Sequence, residues 1–231
     1  MAVEYKDIIK SISDNQFQIL HSIQKLYLNG EDYECDPTYS KGGYYNKGGE
    51  YSLNPPKYKF DVFPIVEGVE KIEPFGKWPL EINSLKSINI DLPFVCSGSV
   101  KEELVNNPHS CIIVKRFQGY YPIDELFKSY HHFLYNAFKY LKPGGFCVFK
   151  TQETISGSMK YMTPFWSWKT AEEIGFYTID NFILTAKARL IGAIKKQEHS
   201  RCFHSNFLVF QKPDGRAKTK PINYNKWRNE K

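Results

Sequence analysis

The sequence predicts an α/β protein with a doubly wound, mostly parallel sheet. Strand-like apolar runs at residues 88–90 and 146–149 flank a long segment, 123–141, whose apolar positions recur with the period of an α-helix. A strand, helix, strand succession of this kind requires a right-handed crossover and a parallel sheet. The last two strand-like runs, 182–184 and 207–210, can pair antiparallel at an edge of that sheet.

The remaining segments are expected to complete one domain. One helix is predicted over residues 14–28, with Asp14 as its N-cap, and another over 169–174. A short strand is predicted at 33–35. With 231 residues, of which 42% are hydrophobic, the chain is long enough for one sizeable core, and we expect a single domain over 1–212. Residues 213–231 are predicted to form a basic, flexible tail. The stretch 44–56 lacks a helical period, so no helix is expected there between two strands.

The sequence contains no recognisable targeting or membrane segment. Charged residues begin at once, and no apolar run approaches the ~20 residues that a membrane span requires. We therefore expect a cytoplasmic protein with no membrane partner.

Cysteine usage argues against a disulfide framework. The number is odd and no C-x-x-C pair occurs, which is typical of reduced, buried thiols. A metal site formed by His199, Cys202, His204 and Asp180 is not favoured, because these residues lack a ligand spacing typical of zinc sites. The five cysteines are Cys35, Cys96, Cys111, Cys147 and Cys202.

The net charge of +6 is concentrated in the last quarter of the chain. Residues 212–231 hold seven Lys or Arg against two acidic residues, and a second basic cluster lies within 187–201. Such a cationic face predicts a polyanionic partner. For the tail alone, a role in solubility remains an equal alternative.

Three aspartates occur at or directly after predicted strands. They are Asp36, Asp61 and Asp91. In open α/β sheets ligands bind outside the carboxyl ends of the strands, so these carboxylates are candidate ligand-binding groups. A single aspartate at such a place is as often a turn or cap residue. Three on consecutive strands favour a binding site.

The tetrapeptide Asp91-Leu92-Pro93-Phe94 resembles the D/N-P-P-Y/F motif of the amino-methyltransferases that modify adenine N6 or cytosine N4. The resemblance implies that Asp91 and the Leu92 carbonyl accept the two hydrogens of an exocyclic amine. It also implies that Pro93 directs that carbonyl inward and that Phe94 stacks on the base. Leu92 departs from the motif, because the family has proline there.

Three further segments resemble that family in the expected order. Residues 35–42 look like a divergent D-P-F-x-G-x-G cofactor loop, 59–64 are similar to the ribose-binding strand G-x-D-x-x-P, and 141–146 resemble the L-K-P-G-G turn of class I methyltransferases. The resemblance spans about residues 33 to 210 and implies a Rossmann-like fold. It implies a cofactor, S-adenosylmethionine, bound by Asp36, Thr38, Tyr39, Ser40, Gly42, Asp61 and Glu73.

The cofactor loop departs from the family at two points. Its glycines come later than in the family, and the bulky Tyr39 stands where a small residue is expected. We therefore expect that Tyr39, Tyr44 or Tyr45 covers the cofactor, whose sulfonium an aromatic face attracts.

Cations interleaved with aromatic residues suggest contact with a nucleic acid strand. They lie in two predicted loops, 96–121 and 151–168, and in the basic region 187–201. Aromatic residues in these loops, such as Phe165 and Trp168, are equally compatible with a place in the core. The candidate contacts are Lys115, Arg116, Lys160, Lys187, Arg189, Lys195, Lys196 and Arg201.

These observations predict an S-adenosylmethionine-dependent methyltransferase that acts on an exocyclic amino nitrogen of a nucleobase and requires no metal. Adenine N6 in DNA is the first choice, because a base can be flipped out of a duplex at a cost of about a few kcal/mol. Cytosine N4, an RNA base and a small-molecule acceptor remain open. A catalytically inactive nucleic-acid-binding module with the same fold is the alternative outside the enzymes.

Overall fold

A computed structural model describes residues 8–45, 50–94, 96, 122–187 and 197–215. An eight-stranded sheet has the order β1-β9-β10-β6-β5-β2-β3-β4. Its strands are β1 (Ile12–Ser13), β2 (Cys35–Asp36), β3 (Tyr58–Asp61), β4 (Glu70–Lys71), β5 (Leu85–Ile90), β6 (Leu141–Thr151), β9 (Tyr177–Thr185) and β10 (His204–Gln211). The strands β7 (Thr154–Ser156) and β8 (Met159–Tyr161) form a separate antiparallel hairpin.

The sheet is parallel except at β10. β2, β3, β4, β5 and β6 pair parallel with one another, and β1 pairs parallel with β9, while β10 runs antiparallel to both β6 and β9. The antiparallel pairing of the last two long strands is therefore confirmed, although β10 lies between two strands instead of at the edge. Most of β10 is buried, so strands on both sides are needed to satisfy its backbone groups.

Helices cover both faces of the sheet. Helix α1 (Gln16–Tyr27) packs on one face, and helices α2 (Ile123–Tyr140) and α3 (Thr163–Ile174) pack on the other. Alternate residues of β6 serve the two faces: Val148 lies in the core beneath α1, and Phe149 lies in the core beneath α2. This architecture is the expected Rossmann-like methyltransferase fold.

The N-cap of α1 is Asn15 and not Asp14 as the sequence suggested. The Asn15 side chain accepts hydrogen bonds from the amides of Phe17 at 2.9 Å and Gln18 at 3.4 Å. Asp14 instead forms an exposed ion pair with Lys187 at 2.8 Å. Both residue types are good caps, and the chain selects the one whose oxygen faces the free amides of the first turn.

Replacing Asn15 with alanine is expected to lower the free energy of unfolding by about 1 kcal/mol, because the first-turn amides lose their acceptor. Asp14→Ala removes only an exposed ion pair and should cost less. Urea denaturation followed by circular dichroism measures both. Equal losses in the two variants would contradict the assignment of the cap.

Helix α2 is predicted to within one residue, but the segment after it is not a simple turn. Leu141 is already extended and begins β6, and residues 141–145 form an irregular start to that strand. Gly144 has a φ of 82°, a backbone conformation that glycine adopts readily. The Lys212 ammonium donates to the carbonyls of Phe138 and Leu141 at 2.7 and 2.8 Å, which caps the end of α2.

The predicted substrate loop 151–168 is regular structure. It contains the β7–β8 hairpin and the first half of α3, which begins at Thr163 instead of the predicted residue 169. Trp166 and Trp168 pack against the core, whereas Phe165 is 65% exposed. The predicted helix began too late because residues 151–168 were interpreted as a loop, with ligand contact and core packing left as equal alternatives for its aromatic residues. The expected lack of a helix between β2 and β3 is confirmed for the described residues 37–45 and 50–57.

Among the described residues, no helix has both the length and the apolar character needed to span a membrane. The expected tail falls outside the described residues from 216 onward.

Candidate active site at the carboxyl edge of the sheet

The site is built on the point where the sheet changes direction. β2 and β5 are neighbours, but the chain continues from β2 toward β3 and from β5 toward β6, on opposite sides. In open α/β sheets the crevice at such a point binds ligands. Asp36 ends β2 and Asp91 directly follows β5, so both carboxylates lie at this crevice.

The Asp91 carboxylate is held through one oxygen. Its Oδ2 accepts hydrogen bonds from the Tyr44 hydroxyl and from the Lys150 ammonium, the latter at 3.1 Å. Within the described part of the chain, the other oxygen, Oδ1, has no hydrogen-bond partner. The side chain is 27% exposed, which leaves Oδ1 available to a donor entering the crevice.

Tyr44 and Lys150 fix that carboxylate from the protein side. The Lys150 ammonium also donates to the Tyr44 hydroxyl at 2.8 Å and lies 5.2 Å from the Tyr44 ring centre. Burial, together with the nearby Asp91 charge, raises the pKa of Tyr44 well above its usual range. Tyr44 is therefore a neutral donor, and the Lys150 side chain, only 10% exposed, is a buried cation paired with a partly exposed carboxylate.

The rest of the tetrapeptide is anchored to its surroundings. The Leu92 side chain is buried in the core at 5% exposure, which restrains this residue although it lacks the proline ring. The Pro93 carbonyl accepts from the Tyr130 hydroxyl at 3.3 Å, and the Phe94 carbonyl accepts from the Thr154 hydroxyl. None of the described residues donates a hydrogen bond to the Leu92 carbonyl.

Asp36 is enclosed instead of open to the crevice. Its Oδ1 accepts from the Thr38 amide at 2.8 Å and the Thr38 hydroxyl at 2.9 Å, and its Oδ2 accepts from the Tyr45 hydroxyl at 2.8 Å. Burial raises the pKa of Asp36 to about 7, although these hydrogen bonds oppose the shift. The Asp91 amide donates to the same Thr38 hydroxyl at 2.9 Å, which links the two strand ends.

Asp61 occupies the corresponding place at the end of β3 and is half-buried. It accepts one hydrogen bond on each oxygen, from the amides of Ser40 and Phe63, both at 2.8 Å. A carboxylate has about four lone-pair sites, so about two remain for a ligand. Glu73 follows β4 at the same edge and is exposed, with a 3.7 Å contact to Lys71.

The predicted cofactor loop is folded upon itself. The amides of Thr38, Tyr39, Ser40 and Gly42 all donate to acceptors within the protein, at 2.7 to 3.0 Å. Gly42 has a φ of 65°, and a Cβ atom there would lie 2.7 Å from the Tyr39 hydroxyl oxygen. The glycine thus allows the Tyr39 ring to stack on Tyr45, 5.3 Å between ring centres.

These residues fit S-adenosylmethionine at one end only. For the ribose end, Asp61 offers unused acceptor sites, and the exposed Glu73 lies at the same edge of the sheet. At the methionine end, Asp36 and the loop amides are already paired, and the rings of Tyr39 and Tyr45 are buried against each other. Binding of that end requires the loop 38–45 to open.

Three predicted nucleic-acid contacts are described. Lys187 and Arg201 are exposed beside β9 and β10, and Lys187 is paired with Asp14. Lys160 is half-buried on β8 and donates to the Ser200 hydroxyl at 3.2 Å. The other predicted contacts lie outside the described residues: Lys115, Arg116, Arg189, Lys195 and Lys196.

Lys150, Thr154 and Tyr130 were not predicted from the sequence, and Tyr44 was predicted to have a different role. Lys150 directly follows the apolar run 146–149, the kind of position at which Asp61 and Asp91 were found. That signal was sufficient to select Lys150. Thr154 and Tyr130 carry no comparable signal, because each reaches the tetrapeptide through the packing of a separate element.

The fold and the crevice define a Rossmann-like α/β protein with the architecture of class I methyltransferases. No protein-family model matches the chain, and no curated protein matches it. Three crystal structures of one protein from Thermus thermophilus, provisionally described as a DNA modification methylase, are similar at TM-scores of 0.35, 0.34 and 0.33. Their identities are 15%, 17% and 16%, and one of them is a complex with S-adenosyl-L-methionine.

Each comparison covers 65% of this chain, whereas this chain spans only 53% to 56% of that protein. The strand order, the single antiparallel strand of the described eight-stranded sheet, and the helices on both faces therefore carry the fold assignment.

Proposed function

We propose that this protein is an S-adenosylmethionine-dependent methyltransferase that modifies an exocyclic amino nitrogen of a nucleobase, with adenine N6 in DNA as the first choice. The observation that carries the proposal is the Asp91 carboxylate. One of its oxygens is fixed by Tyr44 and Lys150, and the other has no hydrogen-bond partner among the described residues on a side chain that is 27% exposed.

The chemistry requires such a group. An exocyclic amine is a poor nucleophile because its lone pair is delocalised into the ring, and acceptors that hold both of its hydrogens favour the geometry in which it attacks. Asp91 Oδ1 supplies one acceptor and the Leu92 carbonyl supplies the second. Phe94 offers a ring on which the base stacks. Tyr44 and Lys150 act as positioning residues, because they touch Asp91 and not the base.

The cofactor, when bound, supplies an electrophilic methyl group on a sulfonium. Asp61 accepts from the ribose hydroxyls with its unused sites, and Glu73 contacts the adenine side. Asp36 and the Thr38–Gly42 backbone serve the methionine end once their internal hydrogen bonds are broken.

Lys160, Lys187 and Arg201 support a nucleic acid substrate. Lys187 follows the carboxyl end of β9, Arg201 precedes β10, and Lys160 lies on the hairpin after β6, so all three belong to the side of the sheet that carries Asp91. Cations on this side would contact phosphates while a base enters the crevice.

The closed loop favours a second candidate, a catalytically inactive nucleic-acid-binding module. In this conformation the buried Asp36 carboxylate accepts three hydrogen bonds within the protein, and the amides of Thr38 to Ser40 are all paired, so these groups are not free for the methionine end of a cofactor. If opening the loop costs more free energy than cofactor binding releases, the protein does not bind the cofactor and binds nucleic acid through its cationic surface alone.

Incubation with isotopically labelled S-adenosylmethionine and a panel of DNA, RNA and nucleosides, followed by nucleoside mass spectrometry, tests the proposal. We expect labelled N6-methyladenine from DNA. A labelled free nucleoside, with activity unaffected by removal of residues 214–231, would instead indicate a small-molecule acceptor.

Calorimetry separates the inactive module from the enzyme. Wild-type protein should bind S-adenosylmethionine, and Asp61→Ala should weaken that binding, because the ribose hydroxyls lose a charged acceptor. Absence of both product and heat of binding would reject the methyltransferase in favour of the binding module.

A further inference from the structure

Three side chains of types that bind transition metals meet at the carboxyl edge of the sheet, outside the crevice. Glu153 lies two residues past the end of β6, and Cys202 and His204 lead into the neighbouring strand β10. Their ligand atoms all lie within 4.8 Å of one another. The chain brings them together because β10 runs antiparallel to β6, so its first residue lies beside the last residues of β6.

The distances approach those of a coordination shell. His204 Nε2 lies 3.2 Å from Glu153 Oε1 and 3.9 Å from Cys202 Sγ, and the Cys202 thiol donates to Glu153 Oε2 at 2.6 Å. Zinc bonds of about 2.0–2.3 Å place tetrahedral ligand atoms roughly 3.3–3.7 Å apart. Shifts of about 1 Å or less, mainly a rotation of the carboxylate, would therefore give three ligands of one tetrahedron.

We propose that Glu153, Cys202 and His204 bind a divalent transition-metal ion, with Zn²⁺ as the preferred occupant. A thiolate with an imidazole selects Zn²⁺ over Mg²⁺ and Ca²⁺, which prefer oxygen ligands. The His204 side chain is 39% exposed and Glu153 only 8%, so an ion enters from the His204 side and keeps a water molecule as its fourth ligand.

Binding exchanges a proton for the metal. In the metal-free protein the Cys202 thiol donates a hydrogen bond to the Glu153 carboxylate. Coordination requires the thiolate, and the displaced proton goes to solvent.

An ion at this place would connect two segments that border the candidate active site. It would cross-link the turn after β6 to the chain that enters β10. Thr154, the residue after Glu153, donates to the Phe94 carbonyl, so the ion would also restrain the tetrapeptide. The sequence suggested Cys202 and His204 as possible ligands, together with His199 and Asp180, but not Glu153, which lies 49 residues from Cys202.

Titration of the full-length, chelator-treated protein with Co²⁺ tests the proposal by absorption spectroscopy. We expect one equivalent to bind, with the visible bands of four-coordinate Co²⁺ and a near-ultraviolet thiolate-to-cobalt band. Cys202→Ser should abolish the thiolate band. His204→Gln and Glu153→Gln should each weaken binding by at least about tenfold, the loss that even a change outside the ligand shell produces.

Cys96→Ser is the matched control, because Cys96 is also a half-buried free thiol. The Co²⁺ spectrum of this variant should equal that of the wild type. Circular dichroism of the metal-free variants verifies that they remain folded. A wild-type protein that binds no stoichiometric Co²⁺, or a thiolate band that survives in Cys202→Ser, would overturn the proposal. If Cys202→Ser does not fold, unweakened binding by both His204→Gln and Glu153→Gln would overturn it equally.

Discussion

Asp91→Ala is expected to lower kcat/KM for methyl transfer by about 10²- to 10³-fold, the usual effect of removing one preorganised polar group at a reacting centre. The amine would lose the acceptor provided by Oδ1 and would be held by the Leu92 carbonyl alone. The cofactor Kd should remain unchanged, because in the proposed mechanism Asp91 contacts the acceptor amine and not the cofactor. Single-turnover transfer from labelled S-adenosylmethionine measures the rate, and calorimetry measures the Kd.

Two further variants make this result specific. Asp91→Asn keeps an amide oxygen as acceptor and should retain more activity than Asp91→Ala. The D/N-P-P-Y/F motif, which this tetrapeptide resembles, also allows asparagine at the first position. Glu81→Ala removes an exposed carboxylate before the amino end of β5, at the opposite edge of the sheet, and should leave the rate unchanged. Full activity in Asp91→Ala, with the fold intact, would exclude Asp91 from the reaction.

The pH dependence of stability should identify Asp36 as a carboxyl group whose charged form is disfavoured by burial. Its pKa is about 7 in the folded protein, where burial disfavours the charge, and 3.8 is the ordinary value of an unperturbed aspartate. Between these values the unfolded chain has lost the proton while the folded chain retains it. The free energy of unfolding should therefore fall as the pH rises from about 4 to about 7, and then remain level as far as this group is concerned.

Asp36→Asn should remove that fall. The amide stays neutral at every pH, its oxygen can still accept from Thr38, and its nitrogen can donate to the Tyr45 hydroxyl. At pH 7.5 the variant should gain stability over the wild type, by an amount on the order of 4 kcal/mol at most, since each pKa unit corresponds to about 1.4 kcal/mol. Urea denaturation across this pH range provides the measurement.

Glu81→Gln serves as the matched control, because it makes the same chemical change at an exposed position. Its pH profile should run parallel to that of the wild type. If Asp36→Asn also ran parallel to the wild type, Asp36 would already be charged in the folded protein near pH 5. The loop over it would then be open to water.

The long helix and the strands beneath it could be predicted because their patterns are local. Helix α2 was expected at 123–141 and is found at Ile123–Tyr140, since its apolar positions recur every three to four residues. The strand β2 was expected at 33–35 and is found at Cys35–Asp36, because so short an element has no period. The segment 151–168 was misassigned because aromatic residues that pack and aromatic residues that bind ligands look alike in sequence.

The sequence alone determined the parallel α/β sheet and the three aspartates at its carboxyl edge, because strand ends follow from local apolar runs and the parallel arrangement brings them to one side. Only the tertiary structure decided what each carboxylate does there. Asp91 meets Tyr44 and Lys150, which lie 47 and 59 residues away, while Asp36 is sealed by Tyr45. Such pairs depend on strand order and register, where a shift of one residue turns every side chain to the opposite face.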